Sequence, residues 1–327
     1  MKKLIFSVLA AATVVCACSV RDERSSEFVR VENGQFVRGE DTLSFVGTNF
    51  WYGPLIASEG RGGNRERLHK ELDALKSIGV TNLRILVGSD GPEGVAYKVE
   101  PVLQLEPGVY NDTVLRGLDY LLAQMAERDM HAVLYFNNSW EWSGGYGQYL
   151  EWAGNGRALL PSVDGYENYV DHVGRFVKDE KAKELYYNHV KNIVTRTNTV
   201  TGKPYTEDPT IFSWQIGNEP RAFARDSVTK AAFADWMCTS ASLIKSLDPN
   251  HMVSSGSEGL YGCEVDMELF EKIHAHKDFD YLNIHIWPLV WRWVTKDTFA
   301  DSVCVAADYT EKYMTAHFPV AERLGKP

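Results

Sequence analysis

The chain has 327 residues, with 34 basic and 44 acidic side chains and a formal charge of −10. That excess of anions argues against nucleic acid and anionic membrane surfaces as partners, and suits a neutral polymer such as a polysaccharide. The length allows a sizeable buried core, and 9 tryptophans and 16 tyrosines supply rings both for that core and for stacking on sugars.

Lys2 and Lys3 precede an apolar run from Leu4 to Val15, too short to span a bilayer and laid out like a secretory signal. The run ends in Val15-Cys16-Ala17-Cys18, which resembles a bacterial lipobox with Cys18 as the residue lipidated after cleavage. Residues 1–18 read as a lipoprotein-type signal peptide, 19–27 as a polar tether and 28–327 as one domain. The expected location is the bacterial cell envelope, through a lipid anchor in the membrane, or outside the cell. Cys238, Cys263 and Cys304 make neither a disulfide framework nor a metal-ligand spacing. His274 and His276 read as solvated residues flanking a short helix.

From Phe28 to Phe45 the pattern is a small hairpin turning at Asn33-Gly34. Short apolar runs then alternate with longer amphipathic segments. The runs are Ser44 to Thr48, Asn82 to Val87, Ala132 to Phe136, Ile211 to Ile216, Met252 to Ser255 and Tyr281 to Ile286. Helical patterns cover Asn64 to Ile78, Thr113 to Arg128, Ala182 to Thr197, Ser227 to Leu247 and Thr298 to His317. In the second of these, Val114, Leu115, Leu118, Leu121, Leu122 and Met125 form one apolar stripe. The alternation predicts an α/β fold with a parallel sheet, helical crossovers and six strand–helix units. A barrel fits this pattern; an open doubly wound sheet fits it less well, since no Gly-x-Gly-x-x-Gly turn is present.

Polar and aromatic residues gather just after the strands, where a barrel collects its active-site loops. They are Asn49-Phe50-Trp51-Tyr52, Asn137-Asn138-Ser139-Trp140, Asn218-Glu219, Ser257-Glu258-Gly259 and His285-Ile286-Trp287. Retaining glycoside hydrolysis needs a carboxylic acid to protonate the leaving oxygen and a carboxylate roughly 5–5.5 Å away to attack the sugar. Glu219, at a strand end, suits the first role if its neighbours and partial desolvation keep it protonated. Asn218 would donate to the sugar 2-hydroxyl. A helix N-cap is the plainer reading of a lone Asn-Glu-Pro; five polar clusters at equivalent points of the repeat weigh against it.

With Gly47-Thr48-Asn49-Phe50-Trp51, Leu83-Arg84-Ile85, Gly144-Gly145, Asp208-Pro209-Thr210 leading into the Trp214 strand, Asn218-Glu219-Pro220-Arg221 and His285-Ile286-Trp287-Pro288, the chain resembles glycoside hydrolase family 5, and its endo-β-1,4-mannanase subgroup in particular. The resemblance runs from about Phe28 to the C-terminus. It implies a (β/α)8 TIM barrel that cleaves mannan with retained configuration. Glu219 would be the acid/base, Asn218 the 2-hydroxyl partner, Arg84 the arginine that orients the nucleophile, and His285 a histidine bonded near the acid/base. Trp51, Asn137, Trp140, Trp287 and Trp291 would line the sugar groove, with Trp293 a weaker candidate. Arg221 and Glu258 match positions that contact polymer beyond the cleavage point, or else pair with each other. Trp214 is as well placed for packing as for substrate. Trp287 stands where many relatives carry a tyrosine that bonds the nucleophile.

The family's nucleophilic glutamate lies on the seventh strand, and a stacking tryptophan on the eighth. The segment 321–327 resembles the turn before that seventh strand, and Glu322 sits at a helix end. The expectation is a barrel truncated after six units, as a fragment or an inactive protein. A β-1,4-glucanase of the same family and a non-catalytic glycan-binding remnant are the alternatives. No cofactor or metal is expected, because two carboxylates suffice.

Overall fold

The structure, a computed structural model, describes residues 27–327. The leader, Cys18 and all but the last residue of the tether lie outside the described residues. Strands β1 (Val29–Glu32) and β2 (Gln35–Arg38) pair antiparallel around Asn33 (φ 52°) and Gly34 (φ 73°). Both take the left-handed backbone that a two-residue turn between twisted strands requires. Strand β3 (Asp41–Thr42) completes this small sheet.

The main sheet begins with β4 (Val46–Asn49), followed by α1 (Gly53–Ala57) and α2 (Arg65–Ser77). Strand β5 (Val80–Leu86) leads to a short antiparallel pair, β6 (Gln104–Glu106) and β7 (Val109–Tyr110), and then to α3 (Asp112–Ala126). After β8 (His131–Tyr135) come α4 (Gly145–Ala153), α5 (Pro161–Asp164), α6 (Tyr166–Val173) and α7 (Glu180–Val194). Strand β9 (Ile211–Gln215), α8 (Ser227–Leu247), β10 (Met252–Ser254), α9 (Met267–His274) and α10 (Phe299–Leu324) complete the chain. The helix starts follow from local chemistry. Asn64, Asp179, Asp226 and Asp266 each accept a backbone N–H at the mouth of α2, α7, α8 and α9.

Strands β4, β5, β8, β9 and β10 are parallel and lie side by side in chain order. A doubly wound sheet reverses its order at a switch point; this one does not, and winds in one direction as a barrel does. Five strands are laddered, against six strand–helix units expected. The run Tyr281 to Ile286 lies beside β10 but forms no ladder: Asp280 N–H donates to Val253 O at 2.9 Å, and the next backbone contact is Leu282 N–H to Pro327 O at 2.9 Å.

The two faces of the sheet carry separate cores. Leu83, Ile85, Leu134, Trp214 and Val253 pack outward against the helices. Val133, Phe212, Met252 and Tyr281 face the other way and meet Val29, Val31 and Phe36 of the hairpin, which covers that end of the sheet. A bulge assists: Ala132 pairs with Ile211 but Val133 with Ser213, so Phe212 is an extra residue. Phe212 joins the hairpin cluster, and Ser213 Oγ bonds the Tyr281 hydroxyl at 2.7 Å. Trp214 is fully buried, with its Nε1 donating to Asp248 at 2.7 Å and its ring stacked on Phe136. It is therefore packing rather than a substrate platform.

Three buried polar groups matter later. Asp119 of α3 accepts from Arg196 at 2.9 and 2.6 Å, Tyr205 at 2.6 Å and Thr199 at 2.7 Å. Asp90 accepts from Gln104 Nε2 at 3.0 Å through Oδ1, while its buried Oδ2 meets no partner; burial pushes its carboxyl up to about 7. His274, expected to be solvated, is instead fully buried, between Ser255 Oγ (2.8 Å) and Phe270 O (2.8 Å). Its polarity is satisfied by tertiary partners. Cys238, Cys263 and Cys304 are free thiols.

Candidate active site

Parallel strands present their C-terminal ends on one rim, and there a cleft of about 1140 Å³ opens. Asn49 comes from the end of β4, Arg84 from β5 and Tyr135 from β8; Trp140, Asn218, Glu219, Arg221, Glu258, His285 and Trp287 come from the segments that follow. Glu219 has a left-handed backbone (φ 51°), and its N–H bonds Gly256 O at 3.0 Å. Gly256 has to be glycine, since a Cβ there would stand 1.8 Å from Gly217 O. This tight crossing turns the Glu219 side chain into the cleft. The carboxylate caps no helix; α8 begins at Ser227 and Asp226 caps it.

Three donors hold Glu219. His285 Nδ1 lies 2.9 Å and Trp287 Nε1 2.6 Å from Oε1, and Trp140 Nε1 donates to Oε2 at 2.7 Å. Burial pushes the carboxyl up, but the hydrogen bond and charge of His285, then the two indoles, pull it further down, and the balance lies below the ordinary glutamate value. The expectation of a group kept protonated by its surroundings is corrected: indole N–H groups can only donate, so this pocket favours the carboxylate.

Arg84 is partly buried at the cleft wall, and loss of water lowers its basicity. Its Nε donates to Gln215 Oε1 at 2.6 Å, and its Nη1 to Asn218 Oδ1 at 2.9 Å and Asn49 Oδ1 at 3.4 Å. The guanidinium lies 4.1 Å from the Tyr135 ring centroid, and Nη2 is buried with no partner. An arginine stays charged, so an unmade bond from a buried Nη2 is an open demand for an acceptor. Asn218 Nδ2 donates to Asn138 Oδ1 at 3.1 Å, leaving one amide hydrogen for a ligand.

The second carboxylate of the cleft, Glu258, takes Arg221 Nε at 2.5 Å and Nη2 at 2.8 Å. Burial raises its carboxyl against the pull of Arg221, and Glu219's charge adds to the rise. The ion pair and the cleft lining thus coincide in the same two residues. Trp51, Trp140, Trp287 and Trp291 also line the cleft. Asn137 does not: it is fully buried beneath the rim, its Oδ1 accepting from Asn138 N and its backbone O from Asn218 N at 2.7 Å. Trp293 packs against Trp291 and Tyr309 instead. The lining also holds Trp142, Tyr166 and Arg292, which motif reading passed over. Trp142 lies two residues beyond Trp140 and meets Trp51 edge-on at 5.9 Å, so its loop carried a signal. Tyr166 starts α6, far from any strand end, and carried none.

Among the described residues, no group of three His, Cys, Asp or Glu side chains is placed to hold a metal. Residues 26–327 match the model of the family described as GH family 5 beta-mannosidase-like. The chain is 30% identical to mannan endo-1,4-beta-mannosidase 5 of Solanum lycopersicum, over 98% of this chain and 75% of that protein. It is likewise 30% identical to putative mannan endo-1,4-beta-mannosidase 9 of Oryza sativa subsp. japonica, over 88% and 67%. Among solved structures, a glycoside hydrolase family 5 mannosidase from Rhizomucor miehei, a mutant in complex with mannosyl-fructose, superposes with a TM-score of 0.84. The identity is 33%, covering 93% of this chain and 72% of that one.

Proposed function

Because this chain belongs to glycoside hydrolase family 5, in its β-mannosidase-like group, we propose that it is a retaining endo-mannanase acting on internal β-1,4 bonds of mannan, glucomannan or galactomannan. The observation that carries the reading is Glu219, fixed on the cleft rim by His285, Trp140 and Trp287. Its task is to protonate the glycosidic oxygen and later to activate water. Asn218 offers its remaining amide hydrogen to the 2-hydroxyl, while Arg84 holds the amide oxygen in place.

The attacking carboxylate is a separate part of the proposal. Glu258 is committed to Arg221, so we assign the nucleophile to residues after Pro327, where its acceptor oxygen meets Arg84 Nη2. A carboxylate roughly 5–5.5 Å from Glu219 also supplies the negative charge that raises the acid's proton affinity. Once the sugar esterifies that neighbour, its charge is gone, and the three donors return Glu219 to the carboxylate that a general base needs.

The test is reducing-sugar release from mannan and from cellulose by the full-length gene product. Strong hydrolysis of mannan, abolished in Glu219→Gln, is expected; activity on cellulose with none on mannan overturns the reading. Labelling with a 2-deoxy-2-fluoro-mannosyl inhibitor should mark a glutamate beyond residue 327, and label on Glu258 would reject that assignment. Export as a Cys18-acylated envelope lipoprotein belongs to the same proposal and rests on the leader sequence. Labelled palmitate should enter the wild type and not Cys18→Ser; equal uptake refutes the anchor.

A further inference from the structure

The geometry points to Tyr313 and His317 of α10 as positioning residues that hold the Arg221–Glu258 wall of the cleft. This rests on the mannanase reading only for what the wall touches.

Helix α10 buries two polar side chains, Tyr313 and His317, neither of which reaches the cleft. Both are spent on the loop after β10. The Tyr313 hydroxyl donates to the backbone O of Glu258 at 2.6 Å and accepts the N–H of Tyr261 at 3.2 Å. His317 Nδ1 faces Tyr313 O at 2.6 Å, so it must carry the ring hydrogen; Nε2 then accepts the N–H of Leu260 at 2.9 Å. Gly259 makes room for the ring, since a Cβ there would lie 2.5 Å from His317 Nε2. Three consecutive peptides beside Glu258 are thus shaped by two side chains of one helix.

The loop has other supports on either side of Glu258. Asn283 Nδ2 holds Ser257 O at 2.9 Å and Ser257 Oγ holds Gly259 N at 3.0 Å, while Gly259 O, Leu260 O and Tyr261 O accept from Cys263, Val265 and Glu264 N–H at 3.1, 2.9 and 3.2 Å. None of these bonds the Glu258 carbonyl or the Leu260 and Tyr261 N–H groups, which fall to α10, and no ladder continues past Ser254. From Glu258 the connection passes through its two bonds to Arg221, whose guanidinium lies 5.4 Å from the Trp140 ring centroid, and Trp140 Nε1 donates to Glu219. A shift of the Glu258 peptide therefore moves Arg221 off Trp140 and reshapes the wall that meets sugar units beyond the cleavage point. The alternative is that Tyr313 and His317 only fasten α10 to the body.

Affinity for mannohexaose, by calorimetry on the full chain with Glu219→Gln in every variant so that the sugar is not cut, and crystal structures without sugar separate the two. His317→Leu should weaken binding about tenfold, the scale of one lost buried hydrogen bond. His317→Gln, whose amide oxygen can take the Leu260 N–H, should stay within about twofold of the Glu219→Gln parent. Arg221→Ala should absorb the effect, so that the double variant with His317→Leu binds no more weakly than Arg221→Ala alone; an additive loss overturns the inference. If His317→Leu does not fold, Tyr313→Phe, which removes only the hydroxyl, takes its place. In the sugar-free crystals the Arg221–Glu258 pair should be displaced, and an unmoved pair also overturns the inference. A Glu219→Gln parent that ignores mannohexaose while the pair moves in the variant refutes the mannanase reading and leaves the positioning role standing.

Discussion

Glu219 shows how far a side chain's chemistry can depend on distant residues. Its two indole donors come from positions 79 and 68 residues away in the chain, so its preference for the carboxylate was illegible in Asn-Glu-Pro, although its place at a strand end was legible. Replacing Trp287 with Phe removes one donor to the charged form, worth about one pKa unit. The alkaline limb of the kcat/KM profile of the full-length enzyme should therefore move to higher pH, and an unmoved limb would mean that the Trp287 bond does not tune the acid. Glu219→Gln should lower kcat by about 10²–10⁴-fold with an unchanged circular dichroism spectrum. Asp90 gives a second pH dependence. Its folded carboxyl sits near 7 because burial penalises the charge, whereas in the unfolded chain it ionises near 4. Between those values the unfolded state has lost its proton and the folded state has kept it, so stability falls as pH rises from about 4 to 7. In Asp90→Asn the fall between pH 5 and 8 should shrink by on the order of 3 kcal/mol, the part of the shift that lies above pH 5, read from urea denaturation at those two pH values. Equal slopes in the two proteins would place Asp90's proton affinity at the ordinary value.

Among the elements, α3 depends on more than its apolar stripe. Asp119 ties it to Arg196, Thr199 and Tyr205 in the segment that leads into β9. Burial works against that charge, but Arg196 first, then Tyr205 and Thr199, bring its carboxyl below the ordinary value. The contribution is thus complete above the ordinary aspartate pKa and is lost as pH falls through the lower, folded one. Asp119→Ala should cost about 3–5 kcal/mol, the scale for orphaning a buried arginine, measured by chemical denaturation at neutral pH. A cost under 1 kcal/mol would show that Arg196 finds water instead. Five of the expected strands were legible because each is a short apolar run between helical stripes. Tyr281 to Ile286 has the same composition, yet a strand also needs neighbours to bond, and composition does not reveal them. His274 fails in the same way: local polarity suggested solvent, while Ser255, 19 residues earlier, supplied the partner that buried it. The rim residues of the site were readable from strand-end position, whereas Tyr166 on α6 and the buried Asn137 depend on how loops pack.

For the whole molecule, the net charge of −10 makes a simple demand on the ligand. A neutral mannan releases no counterions, so its affinity should be nearly flat between 0.05 and 0.5 M salt, on the general expectation that screening acts on charged pairs. A steep salt dependence in a titration would point to a polyanion instead. The same one-way order of β4, β5, β8, β9 and β10 bears on how the protein is made. Every later strand of this sheet docks on the edge left by the sheet strand made before it, so each emerging crossover meets a finished surface and its loop closures stay local. Assembly can therefore track the ribosome, with the rim that carries Glu219 taking shape only after the fourth of these strands has been released.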